Sequence, residues 1–118
     1  MFCEAVIVRN PDNPSSRALA HVLSGAEPDE YMSKLANLFP PYENASRPNL
    51  EAVVIKAGGP LRTQLMKACK QRNINIIQVI DVPTKDQFRA RKYDVIVDPR
   101  RKKVTINIEG IGLRTVDF

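Results

Sequence analysis

Residues 51–84, EAVVIKAGGPLRTQLMKACKQRNINIIQVIDVPT, form the stretch on which our fold prediction depends. Residues 52–55 are apolar and mostly β-branched, which favours a strand. Gly58 and Gly59 interrupt this pattern, and Pro60 suits the first position of a helix, because its missing N–H would have no intrahelical partner there. Apolar residues recur at helical spacing through residues 61–69, and residues 74–80 favour a second strand. The stretch therefore predicts a parallel βαβ unit with a right-handed crossover.

The turn between the first strand and the helix has properties that suit a phosphate. Gly58 and Gly59 lack side chains, so a ligand can approach their backbone closely. The start of the helix would offer unpaired N–H groups and partial positive charge, and Lys56 and Arg62 flank the turn. The alternative is that the glycines only form a tight turn. Neither a P-loop nor a dinucleotide-binding glycine pattern is present, which argues against a soluble nucleotide as ligand.

Two motifs in this stretch resemble those of the universal small-subunit ribosomal protein eleven family. Residues 56–62, KAGGPLR, are similar to the family's Lys-Gly-x-Gly-x-Gly-Arg motif, with Lys56, Gly59 and Arg62 in register. Residues 80–84, IDVPT, resemble its Asp-Val-Thr-Pro motif with the last two residues exchanged, and Arg91 falls where the family has an arginine. The family's His-Asn-Gly segment is absent, and the resemblance covers about a third of the chain.

The resemblance implies a structural component of the small ribosomal subunit. Its partners would be ribosomal RNA and neighbouring ribosomal proteins. Its location would be intracellular, on a ribosome, with a mitochondrial ribosome as one option. No cofactor and no catalysis are implied.

The remaining sequence predicts further elements of one α/β domain formed by residues 1–118. Residues 5–8 favour a strand, residues 15–25 a helix that a serine caps, and residues 27–39 a second helix. Residues 40–49 are predicted to be a connecting loop, or else a segment that becomes ordered on a partner. Residues 93–97 and 103–109 favour an antiparallel hairpin with a turn around Pro99, and residues 113–118 a tail or an edge strand. We therefore predict a single domain with a mixed sheet, a central parallel βαβ unit and a C-terminal β-hairpin.

Positive charge is concentrated in the C-terminal half of the chain. The net charge is +5 and the isoelectric point is about 9.5, values that are compatible with RNA binding and also with many other soluble domains. Two basic clusters follow residue 84. We predict contacts to RNA phosphates from the residues of the glycine turn and of these clusters: Lys56, Gly58, Gly59, Arg62, Lys85, Arg89, Arg91, Lys92, Arg100, Arg101, Lys102 and Lys103.

Two other functional classes remain as alternatives at this stage. Four carboxylates near predicted strand ends, Asp81, Asp94, Asp98 and Glu109, could form the site of a metal-dependent nuclease, although the usual Asp…Glu-x-Lys spacing and all nucleophile motifs are lacking. A protein–protein assembly factor without nucleic acid is the other alternative. Cys69 is predicted to be a buried thiol, and no cysteine–histidine spacing indicates zinc. We predict no enzyme activity, no cofactor, no metal and no membrane association.

Overall fold

The computed structural model describes residues 3–23, 50–57, 66–67, 69–70, 73–86, 89 and 91–118. Seven strands lie in this part of the chain: β1 (Cys3–Asn10), β2 (Asn13–Leu23), β3 (Leu50–Ala57), β4 (Ile74–Val82), β5 (Tyr93–Asp98), β6 (Lys103–Ile108) and β7 (Gly112–Asp117). They form a four-stranded sheet with the order β2-β1-β3-β4 and a three-stranded sheet with the order β5-β6-β7.

The predicted α/β class with a central βαβ unit is wrong. Strands account for 71% of the described residues, and the described part of the chain contains no complete helix. β3 and β4 do pair in parallel, from Leu50 opposite Ile74 to Ala57 opposite Val82. Between them the structure describes only four residues with helical backbone, at positions 66, 67, 69 and 70. The other residues of the predicted helix, including Pro60, lie outside the described residues.

The largest error concerns the predicted helix at residues 15–25, because residues 13–23 form strand β2. β2 pairs antiparallel with β1, and the register places Arg17 opposite Arg9 and Leu19 opposite Ile7. The two strands are joined at Pro11 and Asp12, where the side chain of Asn10 accepts a hydrogen bond from the Asp12 N–H (3.0 Å). Such a side-chain turn favours chain reversal. Pairing with β1 therefore overrides the helical spacing of the apolar residues.

The hydrophobic core lies between the two sheets. Alternate residues of the four-stranded sheet, such as Ile7 and Ile55, are completely buried and belong to one cluster with Ile106 of β6 and Phe118. The opposite face of β1 and β3 is buried as well, at Val6 and Val54 among others. Strands buried on both faces explain the uninterrupted apolar runs in β1 and β3.

The C-terminal half agrees better with the sequence prediction. β5 pairs antiparallel with β6, which confirms the predicted hairpin. β7 adds to β6 as an edge strand, one of the two alternatives for residues 113–118. Residues 85–92, which contain one of the two basic clusters, could form a short helix or a basic arm by their sequence. Lys85 and Arg89 instead close a turn, in which the Lys85 N–H donates to the Arg89 carbonyl (3.0 Å).

Several predictions lie outside the described residues. They are the helix at residues 27–39, the loop at residues 40–49, and the glycine turn with Gly58, Gly59 and Arg62. Cys69 is described and is buried as predicted, with 1% of its surface exposed.

Candidate functional site

Three cationic side chains meet at the end of the four-stranded sheet where β1 ends and β3 begins. Arg17 of β2 is opposite Arg9 of β1, and Arg9 is opposite Glu51 of β3. These two arginines and the glutamate therefore lie in one row across the sheet. Arg9 forms an ion pair with Glu51 (2.9 Å between Nε and Oε1). The row lines a pocket of about 210 Å³ together with Lys102 and Pro11. We call this pocket, lined by Arg9, Arg17, Glu51, Lys102 and Pro11, the cationic pocket.

Phe118 connects the two sheets at the cationic pocket. Its ring is buried, and the guanidinium groups of Arg9 and Arg17 lie 4.3 and 5.3 Å from the ring centroid. Arg17 also donates a hydrogen bond to the Phe118 carbonyl (3.1 Å), and the Phe118 N–H donates to the Lys102 carbonyl (2.9 Å). Cation–π contacts and hydrogen bonds thus hold two arginines in fixed positions beside the turn that carries Lys102.

The arrangement places like charges close together. Partial burial, followed by the neighbouring Arg9 charge, lowers the pKa of Arg17, while Glu51 opposes this effect. Arginine nevertheless stays protonated at neutral pH. The described side chains that line the pocket are three cations, Arg9, Arg17 and Lys102, and one carboxylate, Glu51, a set that favours an anion as ligand.

The turn between β5 and β6 extends the positive charge beyond the pocket. Residues 99–102 form this turn, and Lys102 has a left-handed backbone with φ 54°. Asp98 holds the turn, because its carboxylate accepts a hydrogen bond from the Arg101 N–H (3.2 Å). Arg100 and Arg101 are exposed. Lys103 belongs to β6 instead, where its ammonium group pairs with the carboxylate of Asp117 on β7.

Lys56 and the cations of residues 85–92 lie at the other end of the sheets. Lys56 is near the end of β3, where its Nζ lies 3.0 Å from Oδ1 of Asp81 on β4. Lys56 lies five positions after Glu51 on β3, about 16 Å away at the usual rise of a strand. Those of the predicted RNA-binding residues that the structure describes therefore lie at two separate ends of the sheets.

Glu109 organises the cations of residues 85–92 at this second end. Its carboxylate pairs with the Lys85 ammonium group and accepts a hydrogen bond from the Lys92 N–H (3.0 Å). The Glu109 carbonyl accepts from Arg91 (3.0 Å). The Lys85 contact, and then the Lys92 N–H, lower the pKa of Glu109. Lys85 and Arg91 thus have a structural role, whereas the Arg89 side chain is 77% exposed and lies 3.9 Å from the Asp86 carboxylate.

The four carboxylates of the nuclease alternative do not come together. Asp81 is paired with Lys56, Asp98 holds the β5–β6 turn, and Glu109 is bound to Lys85. Among the residues that the structure describes, no group of three or more histidine, cysteine, aspartate or glutamate side chains could hold a metal ion. In the same part of the chain, no helix is long and apolar enough to cross a membrane.

The sequence analysis missed Arg9, Arg17, Glu51 and Phe118. A signal for the two arginines was present, because the run Asn10, Pro11, Asp12 and Asn13 is rich in turn-forming residues. A hairpin at this run would have brought Arg9 near the segment that contains Arg17. The register shift that sets the two arginines opposite each other has no such signal in the sequence. No local signal could have placed Phe118 beside them, since it lies 101 positions from Arg17.

Comparisons of the chain with models of protein families and with curated proteins gave no match.

Proposed function

We propose that this chain is a non-catalytic RNA-binding protein that holds backbone phosphates at the cationic pocket and the adjoining β5–β6 turn. The observation that carries the proposal is the convergence of Arg9, Arg17 and Lys102 on one pocket, where Glu51 is the one carboxylate side chain among the described lining residues. Guanidinium groups suit phosphate oxygens, because their N–H groups can donate two parallel hydrogen bonds. Arg100 and Arg101 would add contacts to the neighbouring phosphates.

The proposal places the main contact at one end of the molecule, and this can be tested with matched variants. Arg100→Ala with Lys102→Asn removes two cations beside the pocket. Arg89→Ala with Lys92→Ala removes two exposed cations at the other end. We expect the first variant to weaken the binding of structured RNA and to reduce the slope of log K against log salt by about 0.7 to 0.9 per lost contact. The second variant should change both quantities much less.

Equal losses from the two variants would show that affinity follows net charge and would contradict the assignment to the pocket. A wild-type chain that binds no RNA at low salt would contradict RNA binding itself. The absence of catalysis is tested separately, by incubating labelled RNA with the protein and Mg²⁺. Cleavage that is lost in Asp81→Ala, Asp94→Ala or Asp98→Ala would replace the proposal with the nuclease alternative.

We propose further that the RNA belongs to a small ribosomal subunit. The support is the resemblance of residues 56–62 and 80–84 to two motifs of the ribosomal protein eleven family. Lys56 and Asp81, one residue from each motif, form an ion pair on neighbouring strands. In a gradient of cell lysate, the tagged chain should sediment with small subunits and leave that fraction after ribonuclease treatment. Sedimentation as a small species before ribonuclease treatment would contradict the ribosomal assignment.

A further inference from the structure

A groove continues from the cationic pocket across the end of the four-stranded sheet. The cationic pocket shares Pro11 and Glu51 with a second pocket of about 460 Å³, which Lys70 and Asn73 also line. That second pocket shares Lys70, Ile74 and Asn75 with a third of about 530 Å³. The three pockets are therefore neighbours along the end of the sheet, from the β5–β6 turn to β4, and we call this row of pockets the groove.

The register of the strands gives the floor of this groove a regular spacing. Arg17, Arg9, Glu51 and Asn75 are successive partners on β2, β1, β3 and β4. Neighbouring strands lie about 4.8 Å apart, so the row is about 14 Å long. Lys102 lies at one end of the groove, and Lys70 lines it next to Asn75 at the other.

From this arrangement we infer that the groove binds a single-stranded segment of RNA of about four nucleotides, with phosphates held at both ends. The inference rests on the proposed function and specifies the form of the RNA. A stacked strand rises about 3.4 Å per nucleotide, so a row of about 14 Å matches roughly four nucleotides. Lys70 and Lys67 supply cations at the end of the groove next to β4. Asn73 and Asn75 offer amide groups that can hydrogen-bond to base or sugar edges.

The charge along the groove favours a chain of phosphates over a single small anion. A single phosphate bound at Arg9, Arg17 and Lys102 would not reach Lys70, because Lys70 lies at the other end of the row of paired residues. Glu51 lies between the two cationic ends and forms an ion pair with Arg9. Because its charge is partly neutralised, it would repel a phosphate at the middle of the row less than an unpaired carboxylate would. Affinity should therefore increase with the length of the RNA until both ends are occupied.

The test measures binding of fluorescent oligouridylates of two, four, six and eight nucleotides to the full chain at low salt. For the wild type we expect a rise in affinity of about tenfold between two and six nucleotides, and little change beyond. Lys70→Gln should abolish most of this rise and leave the affinity for the dinucleotide unchanged. The Lys70 side chain is exposed, so this substitution should leave the fold intact. Lys92→Gln, at the opposite end of the molecule, is the charge-matched control.

The outcomes separate the inference from the proposed function. If Lys102→Asn weakens binding at every length while Lys70→Gln has no effect, the pocket binds RNA but the groove assignment is wrong. An affinity that does not depend on length, or a twelve-base-pair RNA duplex that binds more tightly than the octamer, would also overturn the groove assignment. If no oligonucleotide and no structured RNA binds, both proposals fail.

Discussion

Lys56 on β3 and Asp81 on β4 face each other across the parallel strand pair, and their ammonium and carboxylate groups are 3.0 Å apart. The sequence predicted a phosphate contact for Lys56 and left Asp81 as a candidate carboxylate of a metal-dependent nuclease site. The register of β3 and β4 brings the two residues together, and each neutralises the charge of the other at the end of the sheet.

Removing the Asp81 charge should have little effect on stability. Four fifths of the Lys56 side chain is covered, but Asp81 is 72% exposed, and ion pairs with one exposed partner contribute about 0 to 1 kcal/mol. We expect Asp81→Asn to lower the free energy of unfolding by less than about 1 kcal/mol, measured by urea denaturation. RNA affinity should stay the same or rise slightly. Loss of RNA binding in a folded Asp81→Asn protein would contradict the phosphate-binding proposal.

Glu109 should make stability depend on pH in the acidic range. Its pKa in the folded protein is below the ordinary value of 4.5, because of the Lys85 contact and the Lys92 N–H. A lowered folded-state pKa means that the stabilising contribution is complete above pH 4.5 and is lost as the pH falls through the folded pKa. Glu109→Gln should therefore unfold at a lower urea concentration than the wild type at pH 7. The difference should shrink below pH 4.5.

A control separates this carboxylate from the others. Asp94→Asn removes an exposed carboxylate from the outer face of β5, and its stability difference from the wild type should not follow the same pH curve. A difference between Glu109→Gln and wild type that stays constant from pH 7 to pH 3 would show that Glu109 does not act through its charge.

A side chain at Gly110, in the turn between β6 and β7, should destabilise the protein, chiefly because of its backbone conformation. Its φ is +75°, and a Cβ atom there would lie 2.7 Å from Nη1 of Arg91. The left-handed backbone alone costs an L-residue about 1 to 2 kcal/mol. We expect Gly110→Ala to destabilise the protein by at least this amount, measured by urea denaturation.

In an Arg91→Ala background the steric part of the cost should disappear, so the double variant should show less than the sum of the two single losses. Strict additivity would contradict the predicted contact.

We expect that Lys102 can be replaced by asparagine without loss of stability. Its φ of 54° is left-handed, and asparagine adopts this conformation more readily than most residues. Lys102→Asn should therefore have a melting temperature equal to or slightly above that of the wild type, while RNA affinity falls. Lys102→Val is the contrasting variant, because a β-branched residue with this backbone is strained, and we expect it to lose about 1 to 2 kcal/mol. A Lys102→Asn protein that melts well below the wild type would show that the lysine side chain stabilises the turn.

The sequence allowed some elements to be predicted well and others poorly, for reasons that can be traced to particular residues. Val53, Val54 and Ile55 are continuous and β-branched, so the strand at β3 was recognised, and the alternation of Val104, Ile106 and Ile108 identified β6. Leu19 and its neighbours have a spacing that fits a helix as well as a strand. Only the hydrogen bonds between β1 and β2 decide between the two.

By itself, then, the sequence determined which short segments are strands in the C-terminal half, where the turn at Pro99 lies, and that the chain carries an excess of positive charge. Tertiary structure alone decided which of those charges act together. Arg9, Arg17 and Lys102 meet because two sheets pack against each other through Phe118. Lys85 forms an ion pair with Glu109, which lies 24 positions away along the chain. Strand pairing and sheet packing join residues that are distant along the chain, and the local pattern of residue types carries no information about such contacts.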